Sequence, residues 1–137
     1  MNMQRVVKTA CLSLLVFGLP VLWNGKVLLA ATNALDGQTF VGEVGEKGKT
    51  GGNQDNLIFK DGKFRSTACD LYGFGDGAYT VSVNGEETSF EAQTTSPTDG
   101  TMKWKGTVKG NTVEGTATWL KPGKAPVEHW VKAELKK

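Results

Sequence analysis

The stretch Thr101-Met-Lys-Trp-Lys-Gly-Thr-Val-Lys109 decides the fold class of this 137-residue chain. Apolar residues and glycine alternate here with lysine and threonine, so an extended chain would place each set on its own face. An α-helix would instead distribute the lysines and threonines around its circumference. The alternation therefore predicts a half-buried β-strand.

The same pattern continues on both sides of this strand. Gly110-Asn111 predicts a turn, and the alternation resumes over Thr112–Leu120. Asp61-Gly62 and Asn84-Gly85 predict two further hairpins, because both dipeptides accept the positive φ angles of tight turns. No window after residue 38 has the apolar spacing of an amphipathic helix. The sequence thus indicates an all-β chain.

Eight strands are predicted in this way, with short connections between most of them. Their predicted bounds are Thr39–Val44, Asn56–Lys60, Lys63–Ala68, Ala78–Val83, Glu86–Thr94, Thr101–Lys109, Thr112–Leu120 and Val127–Leu135. Consecutive strands with short links form an antiparallel up-and-down meander. Closing it into a small barrel removes both exposed sheet edges. A two-sheet β-sandwich is the alternative, since it would use the same alternation.

The first 31 residues have a different composition from the rest. Arg5 and Lys8 precede an apolar run from Ala10 to Trp23, which is too short to span a bilayer as a stable helix. This order is typical of a secretory signal peptide. We therefore expect a signal peptide over residues 1–31, a single barrel domain over residues 32–137, and a periplasmic or secreted product. The alternative is an uncleaved N-terminal anchor.

The net positive charge of the chain comes from its first 31 residues. The whole chain carries +2, but the first 31 residues contain three basic residues and no acidic one. The remaining 106 residues contain 13 basic and 14 acidic residues, a net charge of −1. A near-neutral domain has no positive electrostatic field that would attract phosphate groups. Nucleic acid is therefore not expected as a partner, and contact with a membrane is expected only through the signal segment before cleavage.

The spacing Trp104-x-Gly106-x-Val108-x-Gly110-x-x-x-x-Gly115-x-x-x-Trp119, followed by a last strand at Val127–Leu135, resembles that of small secreted bacterial proteins with lipocalin-like or calycin-like barrels. The resemblance covers the whole predicted mature chain. It implies a β-barrel whose interior is either filled or shaped to hold a ligand.

Aromatic residues mark the predicted ligand site. An eight-stranded barrel is just wide enough to be filled by side chains or to hold one small ligand, and the sequence favours neither outcome. In the second case we expect an apolar pocket whose lining residues are Trp104, Trp119, Tyr79, Phe90 and His129, with Tyr72 and Phe74 contributed by the glycine-rich loop Leu71–Gly77. This loop is expected to form a lid that tucks inward, with an exposed recognition tip as the alternative.

No catalytic, metal or cofactor site is predicted. His129 is the only histidine, and Cys69 is the only cysteine after residue 31. No motif flanks either residue, and dispersed acidic residues form no ligand set for a metal. The sequence therefore predicts an exported non-enzymatic barrel that binds a small apolar ligand or a protein partner. The alternatives are a filled interaction module of the cell envelope and, with less support, an enzyme using Cys69 or His129.

Overall fold

The computed structural model describes residues 34–137 of the chain. These residues form eight β-strands and one short 3-10 helix between the third and fourth strands. The strands are β1 (Thr39–Glu46), β2 (Asn53–Lys60), β3 (Lys63–Ser66), β4 (Gly77–Asn84), β5 (Glu87–Ser96), β6 (Gly100–Lys109), β7 (Thr112–Leu120) and β8 (Val127–Leu135), and the 3-10 helix is Thr67–Tyr72.

The strands close into a barrel. Each strand pairs antiparallel with the next one along the chain, and β8 pairs with β1 through the register Phe40 opposite Leu135 to Glu46 opposite His129. The predicted all-β antiparallel meander, closing as an eight-stranded barrel, is confirmed, and the β-sandwich alternative is wrong. Closure pairs each strand on both sides, although β4 is joined to β3 only near its start.

Six of the eight strands have bounds that differ from the prediction by one to three residues, and at β3 the difference changes the type of structure. A strand was expected over Lys63–Ala68, but β3 ends at Ser66 and the chain enters the 3-10 helix. Only two register pairs join β3 to β4, namely Lys63 opposite Ala78 and Phe64 opposite Gly77. A helix of six residues leaves no periodic signal in a sequence, which explains why the alternation rule missed it.

The two ends of the barrel differ in the length of their connections. The tight turns at residues 61–62, 85–86 and 110–111 lie at one end, which we call the turn end. The longer segments 47–52, 67–76, 97–99 and 121–126 lie at the opposite end, the loop end. Asp61 and Gly62 both have positive φ, as the predicted tight turn requires.

Glycines inside the strands allow neighbouring groups to approach closely. A Cβ atom at Gly106 would lie 2.5 Å from Cε1 of Phe90, its register partner on β5. A Cβ atom at Gly42 would overlap the backbone of β8 at Lys132 and Ala133. Close packing between neighbouring strands therefore explains these two glycines.

The predicted signal peptide, residues 1–31, lies outside the described residues. The described chain begins at the turn end, where Leu35 is buried and the Asp36 carboxylate accepts a hydrogen bond from the Gly62 N–H. No helix within residues 34–137 is long and apolar enough to cross a membrane.

Candidate functional site

A cavity of about 540 Å³ opens at the loop end of the barrel. Its wall combines apolar side chains from the barrel interior and the 3-10 helix with a polar rim. The apolar and sulfur-containing lining residues are Val44, Ala68, Cys69, Phe74, Met102, Trp104 and Trp119, and the polar or charged ones are Glu46, Lys49, Asn53, Tyr72 and His129.

The turn half of the interior is filled by aromatic rings. Phe59 lies at the centre of this group, with ring centroids 5.0 Å from both Tyr79 and Phe90 and 5.2 Å from Phe64. Most of these pairs are tilted or edge-to-face, the arrangements that the charge distribution of aromatic rings favours. The Phe64 ring lies 4.9 Å from the Trp104 ring, which borders the cavity. The aromatic group therefore forms the floor of the cavity.

Two tryptophans form one side of the cavity, and both have fixed positions. Trp104 on β6 is 2% exposed, and its indole N–H donates to the Thr94 hydroxyl over 3.4 Å. Trp119 on β7 donates its indole N–H to the Asp99 carbonyl over 2.6 Å. The Lys121 ammonium lies 5.8 Å from the Trp119 ring centroid, within cation–π range. Both rings are thus preorganised.

The 3-10 helix, which forms the opposite side, is held by a buried carboxylate. Asp55 on β2 is 1% exposed and accepts hydrogen bonds from the Ser66 hydroxyl over 2.6 Å and the Ala68 N–H over 3.0 Å. Burial raises the pKa of Asp55, and these hydrogen bonds oppose that rise. The predicted strand begins at Asn56, which leaves Asp55 in the loop before it. Its alternation with Leu57 and Phe59 was the signal that could have assigned it to the interior.

Cys69 lies on this helix and borders the cavity. The side chain is 8% exposed, and burial is the main cause that raises the pKa of the thiol. Such a cysteine stays protonated at neutral pH, so it lacks the thiolate that nucleophilic catalysis requires. His129 borders the same cavity from β8.

The glycine-rich loop Leu71–Gly77 combines the two predicted arrangements, because one part of it tucks inward and another part is exposed. Phe74 is 3% exposed and tucks into the cavity wall, whereas Leu71 is 90% and Tyr72 55% exposed. Gly73, between Tyr72 and Phe74, has a φ of +80°. The Ser96 hydroxyl donates a hydrogen bond to the Tyr72 carbonyl over 2.7 Å. The loop therefore contributes both an inner wall residue and an exposed rim.

Trp130 lies on the outer face and fixes the loop between β1 and β2. Its indole N–H donates to the Lys49 carbonyl over 2.9 Å. Its ring covers Gly45 and Gly52, where an added Cβ would overlap or crowd it. The loop that carries Lys49 to the cavity rim is thus held from outside the barrel.

Five of the seven predicted ligand-site residues border the cavity: Trp104, Trp119, His129, Tyr72 and Phe74. Tyr79 and Phe90 lie in the aromatic floor instead. The Tyr79 hydroxyl points to the turn end, where it donates to the Asp36 carboxylate over 2.5 Å. Burial and this carboxylate raise the pKa of Tyr79. Within residues 34–137 there is no cluster of three or more side chains suited to a metal ion.

The fold and the cavity define a small closed β-barrel with one filled half and one open half, an architecture compatible with lipocalin-like and calycin-like barrels. No protein-family model, curated protein or solved structure matches this chain.

Proposed function

We propose that this protein is an exported, non-enzymatic barrel of the lipocalin-like kind that binds one small apolar ligand in the loop-end cavity. The observation that carries the proposal is the division of the interior. Aromatic rings fill the turn half, whereas about 540 Å³ remains open above them. This volume lies within the range of ~300–1,000 Å³ that is usual for small-molecule sites.

The lining of the cavity supports an apolar ligand. Met102, Trp104 and Trp119 come from neighbouring strands and present a continuous apolar surface, while the polar groups lie at the rim. Burial of a ligand against such a surface removes apolar area from water on both partners. The protonated Cys69 thiol supports a binding role over a catalytic one. Export is supported by the signal-like sequence of residues 1–31.

A tryptophan fluorescence titration tests the proposal. The protein, produced from the full sequence, would be titrated with fatty acids, retinoids and aromatic probes. We expect a saturable change from Trp104 and Trp119 with at least one class. If no probe produces such a change, the proposal is wrong.

A pair of variants locates the binding site. Ala68→Phe adds a ring to the cavity wall, so we expect it to abolish the fluorescence change. Ala78→Phe adds the same ring to the exposed outer face of β4 and is the matched control, which should bind like the parent. Equal binding by both variants would place the ligand outside the cavity.

A second candidate function is an interaction module of the cell envelope. The observation that favours it is the exposed pair Leu71 and Tyr72, of which Tyr72 borders the cavity, since large exposed apolar side chains often mark contact surfaces. Under this reading Leu71→Ser with Tyr72→Ser would abolish binding to an envelope protein in the intact host, and Ala68→Phe would leave it unchanged. The opposite pattern would favour the ligand-binding function.

A further inference from the structure

The charged groups of the cavity wall already neutralise each other. Glu46 and Lys49 are the charged side chains that border the cavity in the described part of the chain, and they form an ion pair of 2.8 Å. Two nearby lysines of the loop end are also paired, Lys47 with Glu128 and Lys121 with Asp99. Lys49, the basic side chain that borders the cavity in residues 34–137, thus already has a counter-ion at the exposed rim.

Three uncharged polar side chains of the described residues border the cavity, and of these Asn53 and Tyr72 are exposed whereas His129 is half-buried. Its Nδ1 atom is buried and has no hydrogen-bond partner among residues 34–137. A buried N–H without an acceptor is much rarer in proteins than a buried lone pair without a donor. Nδ1 is therefore assigned the lone pair, and Nε2 is assigned the N–H.

Building on the proposed ligand binding, we propose that the ligand is an uncharged amphipathic molecule. Its flat apolar body contacts Trp104 and Trp119, and one of its oxygens accepts a hydrogen bond from Nε2 of His129. Esters, ketones and amides of aromatic or polyene compounds have this chemistry.

The same geometry disfavours an anionic ligand. A carboxylate in the cavity would have to displace Glu46 from Lys49 or remain without a counter-ion. A carboxylate seated against Met102, Trp104 and Trp119 would lose its hydration without gaining a counter-ion, which costs more than burying a neutral oxygen that has a donor. Discrimination by charge is thus a consequence of the apolar wall of the cavity.

Three probes with the same ring system separate the effect of ligand charge from the effect of an acceptor oxygen. Their affinities would be measured by calorimetric titration of the full-length protein. Methyl 2-naphthoate is neutral and has an acceptor oxygen, 2-naphthoate is anionic, and 2-ethylnaphthalene has no oxygen. We expect the ester to bind about tenfold or more tightly than the anion, and about fivefold more tightly than the hydrocarbon.

Two variants of His129 test the role of its donor. His129→Leu should remove the preference for the ester over the hydrocarbon, so that the ratio of the two affinities falls from about fivefold to about one. His129→Gln retains an N–H donor near the Nε2 position and should restore part of the preference. Thermal unfolding of each variant would show that the barrel is intact.

The outcomes distinguish this inference from the proposed function. Equal affinity for the ester and the anion, or equal losses for ester and hydrocarbon in His129→Leu, would overturn the inference and leave apolar ligand binding in place. Failure of every probe to bind the parent protein would overturn both.

Discussion

The Ser66 hydroxyl donates a 2.6 Å hydrogen bond to the buried Asp55 carboxylate, and this contact joins β2 to the start of the 3-10 helix. The other oxygen of Asp55 accepts from the Ala68 N–H in the first turn of that helix. Because the helix forms one wall of the cavity, a single buried side chain positions that wall.

Removing the Asp55 carboxylate should destabilise the fold. Asp55→Ala leaves the Ser66 hydroxyl and the Ala68 N–H without their acceptor, at an expected cost of about 1–3 kcal/mol in the free energy of unfolding. Asp55→Asn keeps a polar group of the same shape and should stay within about 1 kcal/mol of the wild type. Urea denaturation measures both; equal losses would contradict the role of these hydrogen bonds.

The raised pKa of Asp55 predicts a specific dependence of stability on pH. The folded protein holds the Asp55 proton more tightly than the unfolded chain, so this group favours folding at low pH and loses that contribution as pH rises through its folded pKa. The free energy of unfolding of the wild type, minus that of Asp55→Asn, should therefore increase from pH 7 to pH 3. A decrease would show that the hydrogen bonds outweigh burial.

Gly106 should not tolerate a side chain. Gly106→Ala places a methyl group against the Phe90 ring in the cavity floor, and overpacking of this kind costs about 1–3 kcal/mol. Gly51→Ala is the control, since nothing lies within 4 Å of the added atom. Thermal unfolding should show a clear drop in Tm for the first variant and about none for the second.

Loss of the Trp130 ring should release the loop between β1 and β2. We expect Trp130→Ala to make the chain sensitive to trypsin at Lys47 and Lys49, because the Lys49 carbonyl loses its donor and Gly45 loses its cover. Trp130→Phe keeps a ring and should be cleaved more slowly. Unchanged proteolysis of both variants, read by mass spectrometry, would show that the loop is held in another way.

The Cys69 thiol should resist alkylation in the folded protein. Its burial and raised pKa leave little thiolate at pH 7.5, so iodoacetamide should label it about tenfold or more slowly than in urea. Peptide mass spectrometry reads Cys69 separately from Cys11. Rapid labelling of the native protein would restore Cys69 as a candidate nucleophile.

The barrel could be predicted because its signal is local. Side chains alternate between the two faces of every strand, so Trp104 and Phe59 could be assigned to the interior from their neighbours alone. Asp61-Gly62 located a hairpin by its own backbone preference. The 3-10 helix could not be found in this way, because the donors of Ser66 and Ala68 meet an acceptor on another strand.

The alternation of the sequence by itself determined the strands, their inner faces and the aromatic character of the interior, since these depend on residues two positions apart. Only the tertiary structure decided that Phe90 and Tyr79 fill the floor while Trp104 and Trp119 border open space. That division depends on how side chains of different size fit together inside the closed barrel, as the Phe90 ring does against Gly106. Residues far apart in the chain meet there, and no short-range pattern encodes how well they fill the space between them.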